Sequence, residues 1–179
     1  MSQASKHLKW CLNKAKREIE ECENQGKRIK HRGLVEIKPD IAEAGKHIKK
    51  AEHNFKAISS FKEIGFSDWS VSAGCYCIYH CFLAIAAKFG YESKNQECTI
   101  SLIECLKEEG KINIDSKFIE ILKHQDIEEI QENKVIDMRE DYTYGVEISV
   151  ENEKKINDLM KICKEMIDIS KEIIFKNTE

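Results

Sequence analysis

DWSVSAGCYCIYHCFLAIAAKFG, Asp68 to Gly90, runs nineteen residues from Trp69 to Ala87 without one Asp, Glu, Lys or Arg. Nothing else in the chain is so apolar. A helix that is apolar all round must be buried all round, so the remaining segments are expected to pack around this one. Its length reaches the lower edge of what crosses a ~30 Å hydrocarbon core. Ser70, Ser72, Gly74 and His80 dilute it, however, and Cys and Ala outnumber Leu. With no second apolar segment and charged flanks, the expectation is a central helix of a bundle with no membrane partner.

The flanking segments carry the matching pattern. Leu8, Cys11, Leu12, Ala15, Ile19 and Cys22 recur at steps of three and four, which predicts an amphipathic helix over 5–23. After the break at Asn24-Gln25-Gly26 and the single proline, Pro39, which suits a first helical turn, a second long helix is predicted over 40–64. Its inward stripe is Ile41, Ala44, Ile48, Ala51, Phe55, Ile58 and Phe61 or Lys62. Gly65 ends it, and Ser67 or Asp68 is the expected cap of the central helix. Tyr91 to Gln96 reads as a polar connection, and 97–109 as a shorter helix. Asp115 or Ser116 caps another, continuing through Ile127, Ile130 and Met138 toward a C-cap at Gly145. A brief alternation at Val146, Ile148 and Val150 precedes a last helix over 151–174. The expected fold is all-α: an antiparallel up-and-down bundle of five or six helices around 69–90. It forms one domain over 1–179, with 1–45 an N-terminal helical extension less firmly part of it.

The net charge of −3 conceals a division. Residues 1–66 hold 15 Lys/Arg against 9 Asp/Glu, and the remainder hold 14 against 23. The basic third faces either nucleic acid or, more simply, the acidic remainder of its own fold or of a second copy. The patch KRIKHR, Lys27 to Arg32, lacks interleaved aromatics and reads as a solvated loop or helix end. Because MSQASKHLKW is charged from the outset, unlike a signal peptide, the eight cysteines are expected to be reduced thiols of a cytoplasmic protein. Cys75, Cys77, His80 and Cys81 suggest zinc, but Cys75 points about 200° away from Cys77 on a helix. No CxxC is present either, so no metal and no cofactor is expected. The dinucleotide, P-loop, zincin and hydrolase motifs are missing.

AGCYCIYHCFLAIAAKFGYESK, residues 73 to 94, is similar to the small-and-aromatic central helix of the HEPN family (higher eukaryote and prokaryote nucleotide-binding). MREDYTYGVEISVEN, residues 138 to 152, resembles that family's Arg, Asp-Tyr pair and short apolar connection into a final helix. The resemblance covers roughly 46–175 and implies a bundle of four or five helices that usually dimerises. Many members are ribonucleases using an Arg, four to six intervening residues and a His. Others bind nucleotides or RNA without cutting, and small bacterial and archaeal members often work with a minimal nucleotidyltransferase, sometimes with a Tyr near the motif modified by AMP. Here Arg139 matches the Arg, but Tyr144 stands where the His is expected, and no His follows Arg139. Cleavage of RNA without metal needs a proton acceptor near neutrality, which a Tyr of pKa ~10 is not.

Arg139, Asp141, Tyr142, Tyr144 and His80 are therefore the candidate ligand-binding residues, with none catalytic. Arg139 and Tyr142, three apart, share a helix face. The plainer alternative is that Tyr142 packs while Arg139 pairs with a neighbouring carboxylate. His80, amid apolar company, is more simply a buried His bonded to a neighbour. If the protein did cleave RNA, His80 and His124 would be the first candidate replacement bases. The leading expectation is a HEPN-like binding protein, homodimeric, holding a nucleotide or RNA phosphate and pairing with a nucleotidyltransferase. The alternatives are a metal-independent ribonuclease toxin and a purely structural helical interaction module.

Overall fold

The computed structural model describes residues 2–123 and 153–176. These residues form six helices and a small two-stranded sheet: α1 (Gln3–Asn24), β1 (Leu34–Glu36), α2 (Ile41–Glu63), α3 (Ser67–Lys88), β2 (Tyr91–Ser93), α4 (Gln96–Glu108), α5 (Ser116–Glu120) and α6 (Glu153–Phe175). The expected all-α bundle is what forms. The expected continuation through Ile127, Ile130 and Met138, the Gly145 cap and the alternation at Val146, Ile148 and Val150 lie outside the described residues.

The two longest-packed helices are a hairpin whose register can be read from its contacts. Asp40 caps α2 by accepting the Glu43 N–H at 2.8 Å, and its own N–H donates to the Ala87 carbonyl at 3.0 Å. Near the turn, the Ser70 hydroxyl donates to the Ile58 carbonyl at 2.8 Å. Between these lies a contact of His47 with His80. The residue numbers of each pair add to the same value within one, as antiparallel alignment requires. Gly65 makes the turn at φ +85, a left-handed conformation that costs glycine little. Neither Ser67 nor Asp68 is the N-cap of α3. Phe66 holds that position and makes no capping hydrogen bond through its side chain, so tertiary packing rather than local capping sets where this helix begins. Pro39 precedes the Asp40 cap instead of occupying the first turn.

Helix α6 completes the wrapping of α3 on another side. Gly74 is the reason they approach closely. A Cβ there would lie 2.6 Å from Leu159 Cδ2 and 2.8 Å from both Cδ1 and Cγ, inside van der Waals contact. The Cys163 thiol also donates to the Gly74 carbonyl at 3.5 Å. Farther along, Ala84 and Ala87 share a cluster with Ile174, Ala44 and Ile48. These contacts advance together along both helices, so α6 runs parallel to α3 and antiparallel to α2. Phe82, Ile78 and Ile85 of α3 are fully buried, with Leu159, Met166 and Ile156 of α6 among their companions in the core. Each such burial stabilises by about 1.5–3 kcal/mol. Among the described residues α3 is the one helix long and apolar enough to cross a membrane, and 72% of its most apolar window is buried inside the protein.

Burial of α3 is nevertheless incomplete. Trp69 and Tyr76 are each 56% exposed, and Ser72, Tyr79, His80 and Leu83 are only half-buried. At 100° per residue these six share one face, so the helix is sheathed on three sides rather than four.

The N-terminal segment is tied into the bundle at several points. Helix α1 lies antiparallel on α4, linked by the Ser2–Glu108 hydrogen bond of 2.6 Å, a His7–Ser101 contact of 2.9 Å and a Cys11–Cys98 disulfide. That disulfide corrects the expectation that all eight cysteines are reduced thiols; six are free. Strand β1 then pairs antiparallel with β2, Leu34 opposite Ser93 and Glu36 opposite Tyr91. Tyr91 to Ser93 is thus a strand, not simply a polar connection. Gly90 permits it. Its φ is +81 and a Cβ would meet the Ile37 carbonyl oxygen at 2.7 Å, while its own carbonyl accepts the Ile37 N–H at 2.8 Å. In the basic patch Ile29 is exposed, as a solvated loop requires, but His31 is buried with Nε2 at 3.6 Å from Glu92.

Candidate functional site

His80 has a partner that no reading of the sequence picked out. It sits on the half-covered face of α3, where the hairpin register brings His47 of α2 opposite it. The two Nδ1 atoms are 3.1 Å apart, and the rings lie 30° from parallel with centroids 5.3 Å apart. Tyr79 tilts toward His80 at 6.2 Å. A 3.1 Å contact between ring nitrogens requires one Nδ1–H and one Nδ1 lone pair, so the rings are opposite tautomers when both are neutral. Burial, then His47, then Lys50 push the His80 pKa down to about 4. Burial also lowers His47; Glu43 opposes this and Lys46 adds to it. Both imidazoles are therefore neutral near pH 7. A base with a pKa near 4 is a weak proton acceptor there, which bears on His80 as a replacement for a missing catalytic His.

Two of the three thiols on α3 turn the other way. Cys77 and Cys81 face the core with Cys163, and all three are fully buried. The hydrogen bond with Cys163, aided by burial, raises Cys77 well above the ordinary thiol range. The bond with Cys77 and burial do the same to Cys81. Groups held this firmly as thiols are poor nucleophiles and poor metal ligands. Cys75 lies on a different face, and among the described residues no cluster of three or more His, Cys, Asp or Glu is placed to hold a metal ion. The zinc reading of Cys75, Cys77, His80 and Cys81 thus lacks a common centre: His80 faces His47, while Cys77 bonds Cys163 and Cys81 bonds Cys77.

A family model described as the HEPN domain matches residues 44–174. The chain belongs to the HEPN domain family. That match spans well over half of the chain and places it in a nucleotide- and RNA-related superfamily. It begins within α2, so α1 and β1 precede the matched HEPN region while packing against it. No curated protein matches this HEPN chain. Of the candidate ligand-binding residues, His80 is described and lies at the pair above. Arg139, Asp141, Tyr142 and Tyr144 fall within the family match but outside the described residues, as does His124. His47 was missed because the helical pattern of α2 marks it only as a neighbour of Ile48. The signal that finds it is the hairpin register: a turn near Gly65 sets 47 across from 80.

Proposed function

We propose that this HEPN-domain protein is a binding and interaction protein that holds a nucleotide or RNA phosphate at Arg139 and does not cut it. The observation that carries this reading is the family match across the motif, with Arg139 present and Tyr144 where the ribonuclease pattern has His. A guanidinium grips phosphate through paired charge-assisted hydrogen bonds, and its charge is permanent at any working pH. What is absent is the proton acceptor, whose loss typically costs about 10²–10⁴ in rate. The depressed proton affinity of His80 supports the same reading, because His80, one of the two candidate replacement bases, is poorly suited to substitute for that base. In this proposal Tyr142, three residues after Arg139 in sequence, belongs to the ligand surface together with Asp141 and Tyr144. In this proposal the protein acts as a cytoplasmic homodimer and pairs with a minimal nucleotidyltransferase.

Fluorescence polarisation with a short single-stranded RNA and with a labelled ATP analogue tests it. Arg139→Ala is expected to weaken binding at least tenfold with the melting temperature unchanged, and Arg139→Lys to restore part of it. If the substitution lowers stability and leaves binding intact, Arg139 is a structural ion-pair residue and the proposal fails.

A further inference from the structure

The histidine pair offers chemistry of its own, independent of the Arg139 reading. We propose that His47 and His80 form a two-nitrogen site for a divalent transition metal of the nickel or zinc type, with water completing its shell. The geometry carries this. Two imidazole nitrogens bound to one ion at about 2.0–2.1 Å are roughly 2.9 Å apart at a right angle and roughly 3.4 Å apart at the tetrahedral angle. The observed Nδ1 to Nδ1 separation of 3.1 Å lies between these limits. Ligands on two rigid helices are also better placed than ligands on loops. On one side of the pair the Asp40 N–H is bonded to Ala87, and on the other Ser70 is bonded to Ile58. Ala44, Ile48, Ala84 and Ala87 pack together close by.

Binding needs no net proton loss. The ring that carries Nδ1–H shifts that proton to its Nε2, which breaks the bond between the rings; each ring then turns by some tens of degrees so that both Nδ1 lone pairs meet the ion while both Nε2 atoms carry hydrogen. Neutral imidazole is the ligating form. The half-buried position leaves room for water on the outer side. Imidazole suits nickel, copper and zinc rather than magnesium or calcium. The charges around the pair are mixed: Glu43 on α2 favours a cation, Lys46 is bonded to Glu43 at 2.7 Å, and Lys50 opposes it. Tyr79 and Tyr76 flank it on α3.

Isothermal titration of the full chain with nickel chloride tests the site, with nickel chosen because it is redox-inert and less thiophilic than copper. The expected result is one Ni²⁺ per chain and a raised melting temperature. His47→Asn and His80→Asn should each weaken binding at least tenfold, and His53→Asn, on the exposed side of α2, should not. Because either variant could disturb the hairpin, histidine ring resonances of the wild-type protein are followed by NMR as well. Paramagnetic Ni²⁺ should selectively shift or broaden those of His47 and His80 among the six histidines. No binding at millimolar nickel, binding indifferent to both substitutions, or broadening centred on other histidines would overturn the proposal.

Discussion

Substituting Gly74 with alanine probes the contact that lets α6 lie against α3. In an ordinary helix Gly→Ala stabilises by about 1 kcal/mol. Here the new Cβ would come within 2.6–2.8 Å of three carbons of Leu159, whereas carbon atoms prefer about 3.5–4.0 Å. Leu159 is fully buried and Cγ is among the contacted atoms, so the overlap cannot be relieved by swinging one methyl group into solvent. Overpacking of this kind costs about 1–3 kcal/mol. Against the propensity gain, Gly74→Ala is expected to destabilise by ~0–2 kcal/mol. Leu159→Ala alone should cost ~2–5 kcal/mol through its cavity. The double variant removes the clash, keeps the helical gain and partly fills the cavity, so it should be no less stable than Leu159→Ala. The two changes should therefore be non-additive by ~1–3 kcal/mol, the overpacking that the double variant relieves. Urea denaturation of the four proteins, followed by circular dichroism, measures this. Additivity within about 0.5 kcal/mol would show that Leu159 does not sit on Gly74 and would refute the packing described.

The Cys11–Cys98 bridge closes a loop of 87 residues in sequence, for which the chain-entropy estimate is ~4.6 kcal/mol and common experience about 2–4. Cys11→Ser should lower stability by a value in that range, and thiol titration in denaturant should count six groups, eight being the contrary result. In metal-free buffer His80 should make stability fall with acid. Its folded pKa near 4 lies below the ordinary 6.5, so the unfolded chain binds more protons, and the contribution, full above about pH 6.5, is lost as pH falls toward 4. Discounted for its partial exposure, the loss between pH 7.5 and 5 is about 1 kcal/mol, and His80→Asn should remove that increment from the pH profile. An unchanged profile would contradict the neutral pair. Gly90→Ala should cost at least ~1–2 kcal/mol, from a positive φ and a Cβ pressed on the Ile37 carbonyl. A thermal melt unchanged from wild type would be inconsistent with the β1–β2 junction as described.

Most of the bundle was legible because its elements are long and their apolar periods strong. The uncharged run from Trp69 to Ala87 and the glycines at 65 and 90 mark helix boundaries within a residue or two. The two strands were not legible, since Leu34–Glu36 and Tyr91–Ser93 are three residues each and are paired only through the tertiary approach of Gly90 to Ile37. The disulfide escaped for a related reason: Cys11 fits the apolar stripe of α1 as well as any small residue, and nothing local says that Cys98 lies across from it. Trp69 and Tyr76 are open because an uncharged surface need not be a covered one. At the candidate site, Arg139 and Tyr144 were readable as a motif with one half missing. His80 was singled out alone, and its partner His47 emerges only from the register of the hairpin.

Incubating the purified protein with end-labelled RNA in the presence of a chelator, and resolving the products on a denaturing gel, addresses the central claim most directly. The account predicts RNA that is bound yet stays full length over hours. Efficient scission that disappears on Arg139→Ala would contradict it, because the chain would then possess a general base that the Tyr at 144 does not supply.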